Sequence, residues 1–500
     1  VLGLMSEALL IIYFVMLILL ALYGFHRYFL LYLYSKYKKF NPKPEKEFET
    51  LPRVTIQLPF YNEMYVVKRL IDHAVRLDYP KDRMEIQLLD DSTDETTEIA
   101  RERVDFYKEQ GFDIQLIHRD NREGFKAGAL KEGMDIAKGE YIAVFDADFI
   151  PQPDFLKSTI HYFTNPKIAM VQARWGHINE KFSLITKIQS IFLDGHFVIE
   201  HTARNRTGRF FNFNGTAGIW RKAAIIDAGG WEHDTLTEDL DLSYRAQLKG
   251  WEFLYLPQFV APAELPVDIV AFKVQQHRWT KGSIQCAIKL LSSILAAKLP
   301  LKIKSESLIH LLANFNYLIM IPFAISVFPM MMLRINLGME QWFAIDVPII
   351  VMTTASMSFF YIFSQKDLYP DWKSKIIYLP ALMSVGIGLS VNNSVAVVEA
   401  LVNKKTEFVR TPKFGIDNEV KEEKWYKKKY KGRRNHFISL VELILGLYYT
   451  LVVLITILEG IWGAVPFLVM FQFGYLYMAF LSYHSMIKSR IKRSLAMGSA

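Results

Sequence analysis

Asp146-Ala147-Asp148 places two carboxylates two residues apart, directly after the apolar run Tyr141 to Phe145. At a strand end such a pair can hold a hard divalent ion, which can bridge the two phosphates of a nucleotide sugar and offset charge on a departing diphosphate. Asp90-Asp91-Ser92-Thr93-Asp94 closes a second apolar run, Ile86 to Leu89. A carboxylate there can accept hydrogen bonds from a base or ribose, and Asp94 can cap the helix that follows. Lys126, in Arg122-Glu123-Gly124-Phe125-Lys126-Ala127-Gly128, can set a cation beside a diphosphate, with glycines allowing close backbone approach. Thr237-Glu238-Asp239-Leu240-Asp241 offers a base for an acceptor hydroxyl, assigned to Asp239. Glu238 and Asp241 also suit the acidic first turn of a helix. Gln275-Gln276-His277-Arg278-Trp279 supplies a guanidinium for bidentate phosphate contact and an indole on which a pyranose can stack. Trp279 also suits a membrane-interface anchor. Each stretch is weak alone, since an isolated Asp-x-Asp is commonly a solvated loop; in this order in one chain they point to sugar transfer.

These residues need a scaffold. Val54 to Leu58, Ile86 to Leu89, Ile114 to Ile117, Tyr141 to Phe145 and Ala169 to Val171 read as strands, and Tyr65 to Leu77 has a helical pattern. The alternation predicts βαβ units and a mostly parallel sheet, in which ligands bind past the carboxyl ends of the strands. Both acidic pairs fall there.

The 500 residues are 51% hydrophobic, and the excess sits in separated blocks. Leu9 to Leu33 is long enough to span a bilayer and is followed by Lys36, Lys38, Lys39, Lys43 and Lys46, so its far side is expected to be cytoplasmic. It is too long for a signal-peptide core. The net charge of +8 gathers beside such blocks and reads as membrane topology, so no nucleic-acid partner is expected. The single cysteine, Cys286, excludes an intrachain disulfide framework and Cys-rich metal sites. Later blocks lie at Leu308 to Leu333, Trp342 to Phe363, Ile376 to Leu401, Phe437 to Leu458 and Ile461 to Ser482. The basic stretch Lys404 to Arg434 belongs on the cytoplasmic side, which leaves an even number of crossings before it. Ile376 to Leu401, interrupted by Asn392, Asn393 and Glu399, is therefore expected to be interfacial or re-entrant. The resulting division is an anchor (1–35), a catalytic domain (53–280), an amphipathic interfacial helix (281–303), a transmembrane and interfacial region (304–403), a cytoplasmic loop (404–435) and two final spans (436–485). Asn214-Gly215-Thr216 matches a glycosylation acceptor by letter but falls in the domain expected in the cytoplasm.

Longer runs make the pattern specific. Gln57-Leu58-Pro59 with Tyr61-Asn62-Glu63, Leu89 to Asp94, Arg119 to Met134, Phe145 to Phe149, Val171 to Trp175, Phe213 to Trp220, Ala228 to Trp231, Lys249 to Trp251 and Gln275 to Trp279 cover nearly all of 53–280. They resemble membrane-embedded processive family 2 glycosyltransferases, closest to the cellulose-synthase-like A and C subgroups of mannan, glucomannan and glucan synthases. The resemblance implies an α/β GT-A cytoplasmic domain plus an α-helical transmembrane region, with inverting transfer from GDP-mannose or UDP-glucose dependent on Mg²⁺ or Mn²⁺. It implies that Asp90, Asp91 and Lys126 meet the nucleotide and that Asp146 and Asp148 hold the diphosphate and metal. Asp239 would be the base, with Glu238 beside it. Gln275 and Arg278 would reach the nucleotide sugar, and Trp279, Asn214, Gly215 and Thr216 the acceptor. Phe408, Arg410, Thr411 and Lys413 look like the family's gating loop. Thr280-Lys281-Gly282 and Thr237 depart from the A subgroup, which tends to have Ser-Cys-Gly and Val there. The implied partners are the nucleotide-sugar donor, a growing polysaccharide and membrane lipids, in a multi-pass protein of the plasma (inner) membrane. No nucleotide-sensor domain is expected after the last span. A non-processive ceramide or diacylglycerol glycosyltransferase shares the Asp-x-Asp and Gln-x-x-Arg-Trp pattern, and a transporter or scaffold with a degenerate catalytic domain is a third reading.

Overall fold

A computed structural model describes residues 2–339, 342–406, 408–417, 428, 430 and 435–497. Parts of the expected loop, at 407, 418–427, 429 and 431–434, lie outside the described residues. The membrane-distal half is built on a seven-stranded sheet: β1 Val54–Phe60, β2 Met84–Asp90, β3 Asp113–His118, β4 Tyr141–Val144, β5 Ile168–His177, β6 Gly218–Arg221 and β7 Glu252–Ala263. Their order is β3-β2-β1-β4-β6-β5-β7. The five strands read from sequence are β1 to β5; β6 and β7 are additions, and β6 runs antiparallel to both β4 and β5. The helix read over Tyr65 to Leu77 is shorter, Val67–Ala74.

β1 and β2 are buried at every position, as central strands covered on both faces must be. Thr55, Gln57, Glu85 and Gln87 are polar exceptions on these strands. They satisfy one another, with Thr55 Oγ1 donating to Glu85 at 2.6 Å and Gln57 Nε2 to Gln87 at 3.0 Å. Chain order reverses beside β1, which pairs in parallel with β2 on one side and β4 on the other. Strand ends therefore open a crevice between Asp90-Asp91 and Asp146-Asp148, the switch point where such sheets bind ligands.

Among the described residues, six helices are long and apolar enough to cross a membrane: Glu7–Tyr37, Phe315–Asn336, Ile345–Leu368, Trp372–Leu401, His436–Leu458 and Val465–Ser485. This is the helical content of a multi-pass membrane protein. Their outer faces carry exposed Ile11, Ile18, Leu22, Leu447, Leu451 and Phe480. Charged groups between helices pair with one another, as an apolar solvent favours: Arg334 with Asp346 at 2.5 Å, and Lys273 with Glu442 at 2.6 Å and Ser482 at 2.7 Å.

The interfacial helix expected from residue 281 is continuous with the Gln-x-x-Arg-Trp stretch in one helix, Ile269–Ala296. Asn392 and Asn393 do not interrupt the later stretch, which forms the helix Leu379–Leu401. Asn392 Nδ2 donates to Lys273 O at 3.0 Å and to Asn393 Oδ1 at 2.9 Å, so the Asn392 amide donor is satisfied inside the protein. Of the apolar window of Trp372–Leu401, 72% is buried within the protein, against 22 to 39% for the other five. That helix is enclosed by its neighbours and presents little surface to lipid.

Candidate active site

Asp146 and Asp148 follow β4, and the turn ahead of β6 holds the first of them: Asp146 N donates to Thr216 Oγ1 at 2.8 Å. Thr216 is fully buried and supports Asp146 from behind. Asp146 Oδ1 meets Lys126 Nζ at 2.5 Å, and that ammonium also donates to Gly215 O at 2.9 Å. Asp148 Oδ2 meets Lys413 Nζ at 2.6 Å. Two closely spaced carboxylates that each hold an ammonium form a hard-oxygen, anionic donor set, which fits a divalent cation.

Asp91 lines the same cleft, with its carboxylate fixed by a bidentate pair from Arg119 Nε and Nη2, both at 2.7 Å. Arg119 also donates to Glu123 O and Phe125 O, tying the loop before Lys126 to the strand end. Nothing in the sequence motif assigned Arg119 this task. Arg119→Ala leaves Asp91 buried without its partner, and a loss of about 3–5 kcal/mol in stability is expected. A lowered thermal midpoint of the purified protein checks it; an unchanged midpoint would count against this anchoring role. Asp90 departs from expectation. It is fully buried and does not line the cleft, and its oxygens accept from Ser92 N (2.8 Å), Thr97 Oγ1 (2.7 Å) and His118 Nδ1 (2.8 Å). These bonds hold the turn that follows β2. Asp94 Oδ1 accepts from Thr96 N at 3.0 Å, at the start of the helix Thr96–Glu109.

Glu238 and Asp239 open the helix Glu238–Leu248 across the cleft. Burial first, then the adjacent Glu238 carboxylate, pushes Asp239 up to about 7. Gly215 has φ of +80°, and a Cβ there would sit 3.0 Å from Asp239 Oδ2 and 3.4 Å from Lys126 Nζ. The backbone approach at Gly215 thus excludes any larger residue. Asp241 is buried beneath, on Arg245 at 2.8 Å and Lys289 at 3.0 Å. Lys289 also reaches Glu232 and Asp234, so this second acidic cluster is filled by its own lysine.

Gln275, Arg278 and Trp279 face the cleft from the helix Ile269–Ala296. Arg278 lies over the Phe408 ring at 4.6 Å, and Phe408 stacks on Phe125 at 5.7 Å. Arg410 pairs with buried Glu63 at 3.1 Å. The stretch 408–416 therefore lies across the cleft, with Phe408, Arg410, Thr411 and Lys413 all lining it. Its seat is Glu264, immediately after β7. The Glu264 carboxylate accepts from Phe414 N (2.7 Å), Gly415 N (2.8 Å) and Ile416 N (3.1 Å), and its carbonyl accepts from Lys413 Nζ (2.6 Å). Sequence reasoning missed Glu264; its position just past a strand end was the available signal. The departing residue Lys281 anchors the start of the same stretch through Glu399 (3.3 Å), Lys404 O (2.7 Å) and Thr406 Oγ1 (2.8 Å). Glu264→Ala removes charge-assisted bonds worth about 1.5–3 kcal/mol each, enough to shift closure of the stretch by about tenfold or more. Faster tryptic cleavage at Arg410 and Lys413 and a matching fall in kcat/KM are expected; unchanged cleavage would refute the seat.

Trp175, Leu193, Asn214, Thr237, Asp239 and Trp279 line two cavities at once. One is the cleft just described. The other runs between the apolar helices, past Arg27, Tyr317 and Thr353 to Phe471. Arg27 Nε, Trp175 Nε1, Asn212 Oδ1, Asn316 Oδ1 and Thr353 Oγ1 along its wall are buried without a hydrogen-bond partner.

The mixed sheet, its switch-point crevice and the Asp-x-Asp at the end of β4 define a GT-A-type domain joined to a helical membrane region. Residues 55–226 match Glycosyl transferase family 2, and residues 141–357 match Glycosyl transferase family group 2. The chain carries glycosyltransferase family 2 domains. It is 38% identical over 342 residues to Glucomannan 4-beta-mannosyltransferase 9 of Arabidopsis thaliana, covering 63% of this chain and 64% of that one. It is 39% identical over 320 residues to Glucomannan 4-beta-mannosyltransferase 1 of Oryza sativa subsp. japonica, covering 62% and 61%. In both cases less than two thirds of the relative's length is spanned. The fold is shared with a mannosyltransferase from Pyrobaculum calidifontis solved in complex with GDP-Man and Mn2+, at a TM-score of 0.50 and 18% identity, over 78% of this chain and 99% of that one.

Proposed function

We propose that this protein is a membrane-integrated, inverting hexosyltransferase. It polymerises hexose from a nucleotide-diphospho-sugar into a β-linked, β-1,4 polysaccharide and passes the product through its own helices. The observation that carries this reading is the shared wall: Asp239 and Trp279 border the cleft and the intramembrane cavity together. A polymer end lying in the cavity would meet the donor at the base, and each added residue would advance the chain away from the cleft. The cavity's partnerless polar atoms and its aromatic rings suit sugar hydroxyls and ring faces. The catalytic domain faces the cytoplasm of the plasma (inner) membrane, where the donor is made.

In the transfer, the acceptor oxygen attacks the anomeric carbon on the face opposite the nucleoside diphosphate. The new C–O bond forms as the bond to the diphosphate breaks, which inverts the centre. Asp239 takes the acceptor proton; its raised affinity for protons suits a base working near neutral pH. Lys126 and Arg278 set positive charge beside the diphosphate, and Trp279 supports the acceptor ring. Asp146 and Asp148 would hold a Mg²⁺ or Mn²⁺ ion that offsets charge on the leaving group. The 408–416 stretch excludes water while the donor is bound.

The names of the relatives favour mannose as the transferred sugar. Purified protein offered GDP-mannose and UDP-glucose in parallel tests this. Release of GDP with formation of a long product cleaved by a β-1,4-mannanase is expected. A product carrying a single sugar on a ceramide or diacylglycerol would overturn the polymerase reading.

A further inference from the structure

Where the intramembrane cavity meets the cleft, a hydrogen-bonded chain is built from residues that the transfer chemistry above leaves unused. Residues Gly195–His201 form a π-helical turn, a geometry concentrated at functional sites. This turn brings His196, Glu200 and His201 to Asn214. His201 is fully buried, and burial first, then His196, holds it neutral. Its Nε2 meets Asn214 Oδ1 at 2.5 Å and so must donate there. With Oδ1 accepting, Asn214 Nδ2 donates to His196 Nε2 at 3.2 Å. His196 then carries its proton on Nδ1 and donates it to Glu200 Oε2 at 2.9 Å. Arg204 Nη1 donates to the same oxygen at 3.1 Å, and its Nε donates to Glu306 at 3.0 Å. Glu306 also meets His26, on the first membrane helix, at 3.1 Å. One assignment of donors and acceptors satisfies every link, so the tautomer of each imidazole and the orientation of the amide follow from it.

His196 and Glu200 nevertheless keep 28% and 22% of their side chains accessible, and both line the cavity beside Asp239 and Trp279. The chain leaves the second Nδ2 hydrogen of Asn214 and Oε1 of Glu200 unused. An amide donor and a carboxylate acceptor next to an indole face form the chemistry that recognises a pyranose, with the ring on the apolar plane and the hydroxyls on the polar groups. We propose that Glu200 and Asn214, held in place by His196, form the subsite that reads the hydroxyls of the terminal hexose of the acceptor. This subsite holds that hexose with its attacking hydroxyl at Asp239. The proposal rests on the transfer reading above. His196, Arg204, His201 and Glu306 are positioning residues, acting through Glu200 and Asn214.

The full chain in nanodiscs, given its donor and short β-1,4-linked oligosaccharide primers, tests this. Glu200→Gln, which removes the charged acceptor of a sugar hydroxyl, and His196→Ala, which frees both Glu200 and Asn214, are each expected to raise the primer KM by about tenfold or more, the effect of losing one hydrogen bond to a charged group. The donor KM should stay within about twofold. His201→Gln, which retains a donor for Asn214, should move the primer KM less than His201→Ala. Calorimetric binding of the nucleoside diphosphate reports that the cleft is folded in each variant. An unchanged primer KM in both variants, with wild-type elongation intact, overturns the subsite alone, as does a donor KM that rises in step with it. A wild-type protein that elongates no primer and glycosylates only lipid overturns the transfer reading, and the subsite with it.

Discussion

Asp239→Asn is expected to lower kcat by about 10²–10⁴-fold, the usual worth of a positioned general base. Asparagine preserves the size of the side chain and can still accept from Leu240 N, which Asp239 Oδ1 does at 2.9 Å, so the start of the helix should stand. Donor KM should change little, because the lost step is proton removal from the acceptor. The pH dependence carries the sharper signature. The base acts as a carboxylate, and burial followed by Glu238 lifts Asp239 to about 7. The active fraction therefore falls as pH drops through 7 and saturates above 8. Wild-type kcat/KM should trace that rising limb, and the residual activity of the variant should lack it. Activity within threefold of wild type would remove Asp239 from the mechanism.

Asp148→Ala should be nearly as severe. It removes one of the two oxygen donors next to the diphosphate and also the partner of Lys413. Losing several kcal/mol of leaving-group stabilisation corresponds to about 10²–10³-fold in kcat. Chelation should abolish wild-type transfer, and added Mg²⁺ or Mn²⁺ should restore it. In Asp148→Ala, the cation concentration for half-activity should rise. The contribution of loop anchoring is separable: Glu264→Ala frees the same stretch while leaving both carboxylates, so it should leave the cation dependence in place. Full wild-type activity in excess chelator would sink the metal assignment.

Central strands were the easiest part of the fold to read. Val54–Phe60 and Met84–Asp90 are buried on both faces and so stand out as apolar runs bounded by acidic or turn residues. Gly218–Arg221 is only four residues long, and Glu252–Ala263 carries two prolines and a register shift against β5, so neither shows a clean period. The polar Asn392 and Glu399 looked like breaks in a span, yet they are ligands for Lys273 O and for Lys281 on a neighbouring helix. Neighbour identity is a long-range property that local hydropathy does not contain.

Residue types and their spacing by themselves determined the chemistry of this protein: paired carboxylates after strands, a basic residue beside them, a late acid pair, an Arg-Trp ahead of apolar helices. These are local, because a strand end, a turn and a helix start are set by a few adjacent side chains. Only the tertiary structure decided which of two adjacent aspartates serves the cleft. Asp90 turns its oxygens to Thr97 and His118, while Asp91 lines the crevice on Arg119. It also decided that Glu264 seats a stretch about 150 residues away, and that Asp239 and Trp279 look into both cavities. Burial and pairing are created when distant segments meet, and no spacing along the chain encodes which partners those will be.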